Sequence, residues 1–554
     1  MRRRDFLATA ATAVAATSVR GQTGGRELRI GISQYPATLH PLIDSMAAKS
    51  YVLGATHRPF TAFGPDWRPR AYLATGLPSF ANGRAVREPS PEGGDGVATT
   101  WTLREGATWG DGTPVTTRDV VFTWQVGRHP ATGVTSMEPY RRIHRIDVVD
   151  ERTFVVHDSR LTYQYDLLDL GLLPEHLERP VFERDPATYR HRTLYVTEPT
   201  HPGLWFGPYR VAEVATGSHI LLERNPTFWG DPPWFDRVLI RVVENTAALE
   251  AHLRAGAIDM VDGGLGMSLD QALAFERRHG DRFTVRYQPG LVYEHIDLLL
   301  DNPHLARREV RQALLHALDR ELLVAKLFAG KQPVAHANVH PLDAVYDPDV
   351  PVYRHDPERA VRLLQAAGYR RGADGVWVDG EGRRLSLVLM TTAGNRTREL
   401  VQQVLQGMWR RVGIEVTLKN EPARVFFGET VRRRRFRAMA MFAWISAPES
   451  VPRSTLHCDE IPREENGWSG QNYTGYCNPE MDALLDAIER ELDFEKRREL
   501  WKRLQRLYAE DLPVLPLYFR VDPHIWPKWL EGVEPTGHMA PTTLGIEHWR
   551  RREV

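Results

Sequence analysis

Cysteine is nearly absent from this chain of 554 residues: Cys458 and Cys477 are its only two, both late in the sequence. Long apolar runs are missing as well. Beyond the N-terminal stretch, no segment reaches the ~18 apolar residues that a membrane-spanning helix needs. Charge of one sign is not in excess, since Lys plus Arg and Asp plus Glu both number 71. That balance argues against a nucleic-acid binder, which carries a basic surplus or stripe. The single basic run, Arg432 to Arg435, reads as a solvated helix end or loop. Catalytic signatures are absent too: no G-x-S-x-G, H-E-x-x-H, phosphate loop or G-x-G-x-x-G occurs. Gly467-Trp468-Ser469-Gly470 has the wrong spacing for a nucleophile elbow and reads as a turn. His336 and His340 are four apart, but Pro333 and Pro341 place them in an extended loop, not on one helix face where they would chelate a metal. No cofactor and no metal is expected, and the chain is read as a non-enzyme. A hydrolase or chaperone on the same scaffold is the alternative from another class.

What is present begins at the N-terminus. Arg3-Arg4-x-Phe6-Leu7 fits a twin-arginine signal, followed by a mildly apolar run to Val19 that is too short to span. Val19-Arg20-Gly21 offers small residues for cleavage, so residues 1–21 are read as the signal. No cysteine stands there for lipidation. These features predict a soluble periplasmic protein exported by the twin-arginine route. In that oxidising compartment a Cys458–Cys477 disulfide is expected; two free buried thiols and half of a metal site are the alternatives.

The length exceeds one core and suggests two or three lobes. The 38 prolines and 43 glycines imply many turns, and the 15 tryptophans exceed what a minimal core needs. Leu28 to Ile32 alternates like a strand, and residues 82–96 read as a mobile hairpin tip. Asn245 or Thr246 caps a helix that Gly256 stops, and Asp319 caps another. Asp356-Pro357-Glu358 marks a further helix start. A strand over 385–390, a helix with Leu400, Val404, Met408 and Val412 on one face, and a strand over 414–418 form a β-α-β unit. Such a unit predicts a parallel sheet with a right-handed crossover. Ligands in open α/β sheets bind beyond the carboxyl ends of strands. That rule selects the loop holding Thr392 and Asn395, and the residues following the strand 439–444.

The most specific words run from Leu103 to Trp124: L-R-E-G-A-T-W-G-D-G-T-P-V-T-T-R-D-V-V-F-T-W. Locally this is a strand end, a turn at Asp111-Gly112 and a helix capped by Thr116 or Thr117. The phrase resembles a signature of the type II solute-binding proteins of ABC importers, the oligopeptide-, dipeptide- and nickel-binding family. The blocks Gly207-Pro208-Tyr209, Arg224-Asn225-Pro226 and Asn478-Pro479-Glu480 follow in that family's order. The resemblance covers about Leu28 to Trp526.

The resemblance implies a two-lobed α/β periplasmic binding protein, type II (cluster C), with an extra N-terminal α+β subdomain. The division it implies is lobe I at 22–66, the subdomain inserted at 67–199, lobe I again at 200–288, lobe II at 289–515 and a last part of lobe I at 516–554. The crossings between lobes are placed at 287–293, with Gly290 and Tyr293, and at 512–518, with Pro513 and Pro516. A monomer is expected, with a small peptide-like solute and the transmembrane subunits of a permease as partners, and no nucleic acid. Peptide-binding members hold the ligand's amino terminus with an aspartate just past the strand that ends here at Trp444. Ser446 and Ala447 occupy that place, so either Glu449 substitutes or the ligand lacks a free amino terminus. A non-peptide solute (an oligosaccharide, an opine-like conjugate or a metal chelate) is the alternative. Trp444, Ser446, Glu449, Asn472, Tyr473, Thr392 and Asn395 are the candidate ligand residues.

Overall fold

The computed structural model describes residues 26–552; the expected signal and its cleavage site lie outside them. Strands are numbered in chain order: β1 (Glu27–Ile32), β2 (Ala85–Pro89), β3 (Asp95–Thr102), β4 (Ile143–Val148), β5 (Thr153–Asp158), β6 (Tyr209–Ala215), β7 (His219–Arg224), β8 (Arg237–Val242), β9 (Met260–Val261), β10 (Phe283–Leu298), β11 (Ser386–Thr392), β12 (Glu415–Glu421), β13 (Met439–Ile445) and β14 (Val514–Pro527). Ten of them form one sheet in the order β12-β11-β13-β10-β14-β9-β1-β8-β7-β6. The long antiparallel pair β10 and β14 lies in its middle and belongs to both halves.

Each half has its own core. Leu28, Ile30 and Ile32 alternate inward on β1 and pack with Trp101, Trp109, Phe122 and Phe154. The four-stranded N-terminal subdomain, ordered β2-β3-β5-β4, therefore shares a core with the β1 half, lobe I. On the other side, Ile296, Leu298, Leu389, Leu405, Trp409 and Met439 form the core of lobe II. The β-α-β unit is parallel, with Ser386 opposite Glu415 and Thr392 opposite Glu421. Its helix spans Arg396–Arg411.

The Leu103–Trp124 phrase is a folding device. Thr116 caps the helix Thr117–Arg128 and shares a capping box with Asp119. The Asp119 carboxylate also accepts hydrogen bonds from the Trp109 indole (3.3 Å) and the Glu175 backbone N–H (2.8 Å). The stretch 82–96 differs from its reading as a loop tip: β2 occupies Ala85–Pro89 and the turn contracts to Ser90–Gly94. A polar sequence with a proline tolerates this because β2 is an exposed edge strand.

Candidate functional site

A cavity of about 410 Å³ lies astride β10 and β14, walled by both lobes. Its size falls in the ~300–1,000 Å³ range of small-molecule sites. Period-two alternation builds one wall. Tyr293 and His295 share a face of β10, Phe442 and Trp444 share a face of β13, and the register sets Tyr293 opposite Trp444 and His295 opposite Phe442. The rings of Tyr293 and His295 stack at 5.0 Å, His295 and Trp444 at 6.4 Å, and Trp444 and Tyr473 at 5.8 Å. The result is a run of near-parallel aromatic faces along the cleft.

A charged floor accompanies it. Buried Glu294 receives both arms of Arg398, at 2.7 and 3.1 Å, and Arg520 lies 3.7 Å away. Burial pushes the Glu294 pKa up, but the Arg398 and Arg520 guanidiniums outweigh it and hold the carboxyl below its ordinary range. Arg520 also pairs with Asp522 at 2.7 Å, and His524 bonds Asp262 across β14 and lobe I. These groups mutually satisfy one another, which a buried charge requires.

The strand pair is interrupted at the cleft. Between the pairs Pro289–Val521 and Tyr293–Phe519, β10 carries three residues and β14 only Arg520. Gly290 sits in this bulge, and a Cβ there would stand 2.5 Å from the Gly537 carbonyl oxygen. That closeness lets a late segment of lobe I tie the crossing. The Leu291 N–H donates to the Gly537 carbonyl (2.7 Å), the Ser446 N–H to the Leu291 carbonyl (3.0 Å) and the Met539 N–H to the Ser446 carbonyl (3.0 Å). The subdomain also touches lobe II: the Gly470 N–H donates to Thr135 (2.7 Å) and the Tyr163 N–H to Glu489 (2.9 Å).

Of the residues named from sequence, Trp444, Ser446, Tyr473, Gly290 and Tyr293 line the cavity. The others do not. Glu449 has a left-handed backbone, φ 52°, and its carboxylate pairs with the buried Arg497 at 3.0 Å and does not line the cavity. Asn472 is fully buried and braces its loop, donating to the Tyr476 (2.7 Å) and His457 (3.0 Å) carbonyls. Asn395 caps the helix Arg396–Arg411, and Thr392 supports Arg398 from behind at 3.3 Å. Pro513 precedes β14, and Pro516 pairs with His295 inside lobe II. The register irregularity that faces the cavity falls on β14 at Phe519–Val521, beyond Pro516. Cys458 and Cys477 are joined as a disulfide. His336 lies in a loop, and among the described residues no cluster of His, Cys, Asp and Glu is suited to a metal.

Sequence reasoning missed Arg398, Glu294, Arg520, Asp522, Asp262 and His524. Arg398 had a usable signal, in the first turn of the helix after the selected loop. The rest meet only through tertiary folding.

Comparison with known proteins agrees with this architecture. The family model for the bacterial extracellular solute-binding proteins, family 5 Middle, matches residues 90–460. The oligopeptide-binding protein AppA of Bacillus subtilis (strain 168) is 25% identical over 470 residues, 82% of this chain and 81% of its own. The oligopeptide-binding protein of Thermus thermophilus, solved with a pentapeptide, superimposes with a TM-score of 0.87 at 29% identity, covering 94% of this chain and 96% of its own. NikZ of Campylobacter jejuni, solved with Ni(L-His), shares the fold with a TM-score of 0.79 at 20% identity, covering 95% of this chain and 99% of its own. Among the described residues no helix is long and apolar enough to cross a membrane. The match spans more than half of the sequence, and the chain belongs to the bacterial extracellular solute-binding proteins, family 5.

Proposed function

We propose that this chain is the periplasmic substrate-binding protein of an ABC importer, exported by the twin-arginine route. It holds a peptide or related polar solute between two lobes and delivers it, as a monomer, to the transmembrane subunits of the permease. One observation carries the reading: the aromatic, charge-floored cavity sits on the strand pair shared by both halves of the ten-stranded sheet. Bending that pair at the Gly290 bulge changes the cavity and the lobe angle together, which is what a hinge-closing receptor needs. The domain division at 22–66, 67–199, 200–288, 289–515 and 516–554 belongs to the same proposal, with the return crossing moved to Phe519–Asp522. The residues present suit binding, not a catalytic step: the cavity-lining Arg398 and Arg520 are held by buried Glu294, and the lining carboxylates Asp262 and Asp522 pair with His524 and Arg520.

The Ser446 loop shapes the ligand class. No carboxylate stands at Ser446 or Ala447, and Glu449 is committed to Arg497. A free ammonium arriving beside Ser446 therefore meets no counter-charge there, and desolvating it without one is costly. That favours a ligand whose cationic group lies elsewhere, or a non-peptide solute. Native mass spectrometry of the protein purified from its own periplasm tests the reading. A retained small solute, released on denaturation, supports it. A protein without a solute that turns over added peptides would overturn it.

A further inference from the structure

A second cavity of about 470 Å³ adjoins the first, between the N-terminal subdomain and lobe I. Ser50, Ser450, His538, Met539, Ala540 and Pro541 line both, so the two spaces share one wall of residues and meet there. Met539, 54% exposed, lies at this junction. The second chamber is largely apolar, with Trp101, Leu168, Leu170, Leu172 and Phe206 on its walls.

Its charged groups are paired with one exception. Arg58 is bound to Glu547 at 2.6 Å and Arg142 to Asp158 at 2.6 Å. Burial drives the His57 pKa down to about 3, so that ring is neutral. Asp169 remains. Among the described residues, no hydrogen bond holds its carboxyl, and the one cation acting on it is Lys49. Lys49 is already engaged: its ammonium donates to the carbonyls of Ile43 (2.9 Å), Pro41 (3.2 Å) and His40 (3.3 Å), and it also faces Asp44. Asp169 is exposed and lines the second cavity, yet the surrounding protein desolvates it enough to raise its pKa. Both facts hold for a carboxyl that projects into an internal chamber. A desolvated carboxyl without a hydrogen-bond partner is a standing cost that a ligand cation removes.

We propose that this chamber is a second ligand subsite, and that Asp169 there recognises an amine or guanidinium on the ligand segment that passes Met539. The inference rests on the solute-binding reading and deepens it. The ligand is long enough to reach from the Trp444 wall into the second chamber, and it carries its positive charge at the far end, not beside Ser446. This reconciles the bare Ser446 loop with a peptide-like ligand.

Calorimetry on the full exported protein tests it, using pentaalanine with its amino terminus acetylated, so that it carries no cation, and the single-lysine and single-norleucine variants of that peptide. One lysine position is expected to bind roughly tenfold or more tightly than norleucine at that position, the scale of a charge-assisted hydrogen bond. Asp169→Asn is expected to erase that contrast while leaving pentaalanine within about twofold. The inference falls if no lysine position exceeds its norleucine counterpart, or if Asp169→Asn weakens both alike. The lysine–norleucine contrast is read on the wild type, so it survives a variant that does not fold. If no peptide binds at all, the peptide reading fails by itself. Spermidine then probes the chamber: binding to the wild type and not to Asp169→Asn supports the subsite, and no binding to the wild type overturns it.

Discussion

Trp444 is flanked by two rings nearly parallel to its own, His295 at 10° and Tyr473 at 23°. Trp444→Ala removes both stacked contacts and the apolar wall they form. Each such pair is worth about 0.5–1.5 kcal/mol beyond area burial, so ligand affinity is expected to fall at least tenfold by calorimetry, with Trp444→Phe losing much less. An unchanged affinity in Trp444→Ala would place the ligand off this wall. Next to it, Ser446→Asp places a carboxylate on the cavity wall, where an arriving ammonium otherwise meets none. Di- and tripeptide binding should rise by about 10- to 150-fold, the equivalent of about 1.5–3 kcal/mol. Glu449→Gln should leave peptide affinity unchanged, since its carboxylate faces Arg497 and not the cavity. A loss of affinity in that variant would bring Glu449 back to the site.

At the scale of elements, the loop between β13 and the helix Pro479–Arg490 depends on two supports. The Cys458–Cys477 disulfide closes a loop with a sequence separation of 19. Chain entropy makes such a closure worth about 3 kcal/mol. The double Cys→Ser variant should unfold at a correspondingly lower denaturant midpoint with the same slope. The second support is Glu460, buried between this loop and the subdomain, where its carboxylate accepts the Ser136 hydroxyl at 3.1 Å. Burial is the largest influence on it and pushes its pKa up to about 7. A folded pKa above the unfolded one means the native state holds the extra proton. Stability from this group is therefore full below about pH 4.5 and declines as pH rises to about 7, by roughly 3 kcal/mol. Melting temperatures of Glu460→Gln should lack that decline, and a parallel decline in both proteins would remove Glu460 as its source.

For the molecule as a whole, the proposed hinge is the bulge in β10, between the two cores. Small-angle scattering should show a smaller radius of gyration with saturating ligand than without it, and no change would count against closure. Gly290→Ala places a methyl where the Gly537 carbonyl stands, 2.5 Å away. The strand ties through Leu291 and Ser446 must then shift. The expected outcome is a lower melting temperature together with weaker ligand binding, because the same contact supports the crossing and the cavity wall.

The sequence by itself determined what depends on neighbours along the chain. Helix starts at Asn245, Asp319 and Asp356 were legible because a capping side chain bonds an N–H two or three residues on. The parallel β-α-β unit was legible because its two periodicities follow each other without interruption. The family was legible because its motifs fix such local devices, as Asp119 does for Trp109 and Thr116. The tertiary structure decided everything that depends on partners far apart in sequence. Asn472 looked like a cleft residue and braces a loop instead, since its amide meets carbonyls that only the folded turn brings together. Glu449 pairs with the distant Arg497 from a left-handed backbone that no pattern announced. The break in strand register lies beyond Pro516, opposite Phe519–Val521, because a bulge on the other strand sets it. Asp169 and Trp444 come to adjoining cavities only through the packing of a subdomain and two lobes. Local hydrogen bonds can be read in chain order; the pairing of distant charges and faces is a property of the packed molecule.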